Sequence, residues 1–170
     1  MQDTDLFLQL AAIAGVFVGF GALIAVRGDG TSEARAVAPM RVVVSTGVMT
    51  IVAALAPVTL ARYGLADHEV WALSSVLVLV GYAATAAANT RTPEDRAVLM
   101  APVTGRTGVV VDGVSVLVAA VAVLAPIVII VGLAPELEAA LYFTVVVLIL
   151  LSAGWVLLSL VFAQRRPAAA

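Results

Sequence analysis

The chain has no cysteine, no lysine and a single histidine in 170 residues. Without cysteine there is no disulfide, no thiolate metal site and no S-acylation. Without lysine, retinal or any other Schiff-base cofactor has no point of attachment, and one histidine cannot make a bis-histidine haem site. Charge is scarce too: charged residues are 12% of the chain, against about 25% in soluble domains. The net charge of -2 offers nucleic acid no electrostatic footing. Catalytic signatures are missing as well: there is no HExxH and no GxSxG, and "GDGTSEAR" has no phosphate-binding lysine and follows no strand. Asp112 stands alone, so no acidic cluster supports metal-dependent chemistry. The expectation is a protein that is not an enzyme and has no cofactor and no metal site.

What is present is apolar. Hydrophobic residues make up 63% of the sequence, and the mean hydropathy is +1.15. A helix crosses the hydrocarbon core with roughly 20 mostly apolar residues. Five stretches reach that length, at about 6–26, 41–61, 69–89, 109–132 and 137–163. Valine-rich runs such as "TVVVLIL" favour strands in water. In lipid every backbone group must be bonded within its own segment, so the expectation is a helix for each. The predicted fold is all-α, a single transmembrane domain over 1–170 with five spans. The N-terminal "MQDTDLFLQL" has no basic flank, so the first stretch is read as a mature span rather than a secretory signal.

Orientation follows from the arginines. With the N-terminus outside, Arg27, Arg35, Arg41, Arg91, Arg96, Arg106, Arg165 and Arg166 lie inside and only Arg62 lies outside. That is the positive-inside pattern, N-out and C-in, and it points to the cytoplasmic membrane. The all-arginine basic set, with much Ala, Val and Gly, suggests a GC-rich prokaryotic genome. Short outer turns pair spans two with three and four with five as hairpins. Tyr63, Trp71, Tyr142 and Phe143 lie beside these turns, where interfacial rings are expected. In the longer inner loop, "TPEDR" predicts a short helix at about 93–101.

The two hairpins echo each other. Val42–Trp71 and Val109–Glu138 each run from three valines to Leu-Ala-Pro, then Gly-Leu-Ala and two acidic residues. The echo is read either as a parallel duplication or as two hairpins built from the same small alphabet. Pro57 and Pro126 are candidate kinks, either static or paired hinges. The order "GFGALIAVR", then "ALAP" and "GLADHEVWALSS", resembles a set of small uncharacterised prokaryotic integral membrane proteins over about residues 15–75. The resemblance implies membrane class and carries no activity with it.

Asp112 is the one carboxylate well inside a span. Intramembrane ionisable groups are costly and point to function, so Asp112 with Ser115 is a candidate ion or proton site. The competing reading is an interfacial carboxylate paired with an arginine, because Asp112 lies only about 6 Å from the helix start. Ala11, Gly15 and Gly19 form a small-residue face, suited to seating the first span in its bundle or to joining two copies. Polar residues also fall in stripes: Thr46 and Thr50; Ser75, Tyr82, Thr85 and Asn89; and Thr144, Ser152 and Ser159 near Trp155. Interhelical hydrogen bonding is their expected role, and convergence of the three on one axis would make a pore plausible. His68 is expected to be a solvated turn residue. The expected function is an accessory or structural, non-catalytic role, with the lipid bilayer and a second copy or another membrane protein as partners. The alternative is a small proton or cation channel or transporter whose path passes Asp112.

Overall fold

Long uncharged runs leave the backbone no partner but itself, and each of the five becomes a helix. The computed structural model describes residues 4–27, 34–93, 96 and 106–163, with backbone alone at 24–27, 34–39, 106–112 and 159–163. The helices are α1 (Thr4–Arg27), α2 (Ala34–Leu60), α3 (Asp67–Asn89), α4 (Arg106–Val131) and α5 (Glu138–Ala163). All five are long and apolar enough to cross a membrane. The expected span boundaries fall within a few residues of these, apart from α2, which begins seven residues early. Among the described residues there is no strand. Of the expected short helix at 93–101, Pro93 and Arg96 are helical and the Arg96 amide donates to the Thr92 carbonyl at 3.1 Å; its remaining residues lie outside the described ones.

Helices α2, α3, α4 and α5 form a ring in which each packs on the next, and α1 lies outside it, mainly against α2. One end of the ring carries both hairpin turns; the other carries the long loops. At the turn end, a 3-10 turn at Ala61–Tyr63 runs into Gly64, and α4 runs into Gly132. These glycines have φ of +72° and +71°, the left-handed conformation that ends helices without a Cβ clash. After α4, the Gly132 amide bonds to the Ile129 carbonyl and the Leu133 amide to the Val128 carbonyl, the double bond of a Schellman stop. The Gly-Leu-Ala part of the echo is therefore the chemistry of two similar helix stops.

The same turns differ in how they use their acidic residues. Glu69 accepts from the Ala66 amide at 3.1 Å and caps the start of α3. Glu138 is buried and reaches across to the other hairpin instead.

Close approach of α1 to α2 comes from other glycines than the motif suggested. A Cβ on Gly47 would stand 2.6 Å from Val18 Cγ2, and one on Gly21 would stand 3.0 Å from Val44 Cγ2. Gly15 and Gly19 are exposed, with nothing within 4 Å of the corresponding positions. Of the expected small-residue face, only Ala11 packs against the core. The two motif glycines face away because the α1–α2 contact runs along the side of α1 that carries Ala14, Val18 and Gly21.

Candidate functional site

The turn-end half of the ring is filled by aromatic rings. Phe7 from α1, Trp71 from α3 and Tyr142 from α5 are buried together, with ring centroids 5.6 to 6.1 Å apart. Phe143 meets Phe7 edge-on at 5.7 Å. Trp71 and Tyr142 were expected at an interface, yet they are 8% and 0% exposed. They point into the bundle because both lie in the first turns of α3 and α5 on the buried side, next to Val70 and one turn after Glu138 respectively. Tyr63 alone of the four stands well out, at 77% exposed.

Tyr142 also solves a local problem in α2. Pro57 has no amide hydrogen, so the carbonyl of Ala53 loses its helical donor. The Tyr142 hydroxyl donates to that carbonyl at 2.7 Å. Pro57 and Pro126 are both fully buried, each inside its helix. The candidate kinks therefore face the packed interior. Ser74 and Ser75 sit on the same inner face of α3 with buried hydroxyls, Ser74 beside the Tyr142 phenol and Ser75 without a hydrogen-bond partner.

A second cross-hairpin link lies at the turns. His68 Nδ1 donates to Glu138 Oε1 at 2.7 Å, tying the start of α3 to the start of α5. His68 is half exposed, while the Glu138 side chain is almost wholly covered. Gly132 lies beside the His68 ring, where a Cβ would come within 3.4 Å. His68 is thus exposed at its turn, as the sequence suggested, and is in addition bonded across the hairpins. The only hint in the sequence was that each turn carries acidic residues near a glycine stop.

The other half of the ring is open. A cavity of about 630 Å³ lies between α2, α3, α4 and α5. Thr46, Tyr82, Thr85, Asn89, Ser115 and Ser152 line it, so three of the polar stripes converge there and Ser115 joins them from α4. Trp155 is also in the wall, with Val118, Ala119, Ala122, Leu148 and Ile149. Most of the wall is hydrocarbon, and among the described residues no charged side chain lines it. Thr144 falls elsewhere: it is exposed and bonds back to the Ala140 carbonyl.

Interhelical hydrogen bonding is rarer than the stripes suggested. Thr50, Ser152 and Ser45 each donate to a carbonyl of their own helix, the usual outlet for a helical hydroxyl. Among the described stripe residues, Asn89 bonds across helices, donating through Nδ2 to Ser45 Oγ at 3.1 Å. Its Oδ1 has no hydrogen-bond partner. Asp112 lies on α4 one turn before Ser115, and its side chain lies outside the described residues. Ser115, Ala119 and Ala122, which share its face of the helix, line the cavity. Among the described residues no group of His, Cys, Asp and Glu is placed to hold a metal ion.

Comparison with protein-family models, curated proteins and solved structures found no match to this chain.

Proposed function

We propose that this chain is a non-catalytic, accessory or structural component of a prokaryotic cytoplasmic membrane, spanning it five times with the N-terminus outside and the C-terminus inside. The arginine distribution supports the orientation, since the short turns have Arg62 alone, and the other eight fall in or beside the two longer connections and in the C-terminal segment. The bilayer is its first partner. A second copy or another membrane protein fits the exposed Gly15–Gly19 side of α1, where a facing helix can approach closely.

The observation that carries the reading is the stacked interior of the turn-end half. Phe7, Trp71, Tyr142, Val145 and Val146 fill the ring there, each 8% exposed or less. A hydrated path for ions needs open space between polar groups through the full thickness, and in this half packed rings and valines occupy the space around the few buried hydroxyls. The rival reading, a proton or cation path past Asp112, has two observations in its favour: residues of three polar stripes converge on the cavity, and the face that carries Ser115 opens on it.

Reconstitution in liposomes separates the two. The expected result is no proton or cation flux above that of protein-free vesicles. A flux that disappears in Asp112→Asn, with the fold retained, establishes the transporter in place of the accessory component.

A further inference from the structure

The cavity at the loop end has a wall chemistry that selects a ligand class. Its volume of about 630 Å³ lies within the roughly 300–1,000 Å³ of small-molecule sites. Its walls are chiefly aliphatic, which suits a hydrocarbon body. The described lining residues are uncharged, which suits an uncharged molecule along that stretch of wall.

Asn89 gives the cavity its polarity. The residue is 7% exposed and forms part of the wall. Ser45 has one hydroxyl proton and donates it to the Val42 carbonyl at 3.2 Å, so its oxygen accepts from Asn89 Nδ2 at 3.1 Å. That chain of donors fixes the amide orientation. The group left over is Oδ1, a buried acceptor without a donor. Buried acceptors are seldom left so, and a donor reaching the wall from the cavity, a ligand hydroxyl or a water, would satisfy this one. Ala122, whose carbonyl Pro126 leaves without its helical donor, lines the same cavity.

Access is lateral. Every residue from Gly113 to Leu117 on α4 is exposed, so this stretch stands off from its neighbours. We propose that the cavity binds an uncharged, lipid-soluble alcohol, whose hydroxyl donates to Asn89 Oδ1 and whose hydrocarbon body lies along α4 and α5. The proposal rests on the reading that the chain sits in a bilayer, through which such a molecule arrives; it is independent of which end faces outside.

The test uses the full chain in phosphatidylcholine vesicles with a hexadecanol carrying a mid-chain diazirine. Saturable photolabelling is expected on wall residues such as Val118 and Leu148, competed by hexadecanol but not by hexadecane or by palmitate. Asn89→Leu should weaken saturable labelling about tenfold, the factor that corresponds to one hydrogen bond. Ala119→Phe, which fills the cavity from α4 and leaves the Asn89–Ser45 pair alone, should abolish it. Labelling that does not saturate, that hexadecane competes equally, that concentrates on exposed Leu124 and Val131, or that survives both substitutions overturns the proposal. So does equal competition by palmitate. Alkaline extraction of the same vesicles reads membrane residence separately: a chain that is released has failed the bilayer reading, while a retained chain without saturable labelling has failed only the ligand.

Discussion

The Tyr142 hydroxyl bonds at 2.7 Å to the Ala53 carbonyl, 89 residues away in the chain, and that carbonyl is the one Pro57 deprives of its helical partner. Two side chains on different helices thus form one device: the proline opens the α2 ladder and the phenol closes it. Because both residues are fully buried, neither group has water as a substitute.

Tyr142→Phe should therefore cost about 1–2 kcal/mol, the upper part of the range for interhelical bonds in membranes. Pro57→Ala returns an amide donor to Ala53. In that background, Tyr142→Phe should cost distinctly less. Denaturation in mixed micelles of the wild type, the two single variants and the double variant measures the coupling; strictly additive effects would show that the proline and the phenol are unrelated.

Glycines of α1 and α2 should respond in opposite ways. Gly47→Ala puts a Cβ 2.6 Å from Val18 Cγ2, with the Ala14 carbonyl 3.5 Å off, so either the stiff Val18 side chain turns or α1 moves. A loss of about 1–3 kcal/mol is expected, as for other overpacked sites. Gly15→Ala and Gly19→Ala meet nothing within the chain and should leave its stability equal or raise it by about 0.5–1 kcal/mol. Thermal stability in detergent distinguishes them, and a Gly15→Ala loss as large as that of Gly47→Ala would contradict the placement of α1.

The buried Glu138 carboxylate is held by His68 across the two hairpins. His68→Ala should lower stability by roughly 1 kcal/mol, because a buried carboxylate is left without its donor. Glu138→Gln keeps an acceptor for the ring and should cost less than Glu138→Ala. The measurement is again thermal unfolding, and His68→Ala behaving as wild type would mean that the latch between the hairpins contributes nothing.

Topology is directly accessible, since the chain has no native cysteine. Single cysteines replacing Asp67 and Glu136 should react with an impermeant maleimide from outside. Those replacing Ser32 and Thr92 should react only after the membrane is permeabilised. Asp67 and Thr92 labelling from one side would reverse the hairpin reading of α2 and α3.

The helices themselves were legible because their cause is local. A run of about 20 apolar residues has one way to satisfy its backbone in lipid, and glycine at 64 and 132 marks where each run ends. Packing was much less legible. Valine, alanine and leucine are nearly interchangeable to a neighbouring helix, so composition does not say which face of α1 meets α2. The GxxxG spacing of Gly15 and Gly19 pointed to one side of α1; the steric fit of Val18 beside Gly47 chose another.

The sequence by itself determined five apolar helices, their hairpin pairing and the arginine bias between their ends, since each depends on residues close together in the chain. Tertiary structure alone decided that Tyr142 reaches the carbonyl freed by Pro57, that His68 meets Glu138, and that Thr46, Tyr82, Thr85, Asn89, Ser115 and Ser152 share one cavity. Those relationships depend on the rotation and depth at which each helix is set against the next, and that setting comes from many weak van der Waals contacts summed over the whole ring.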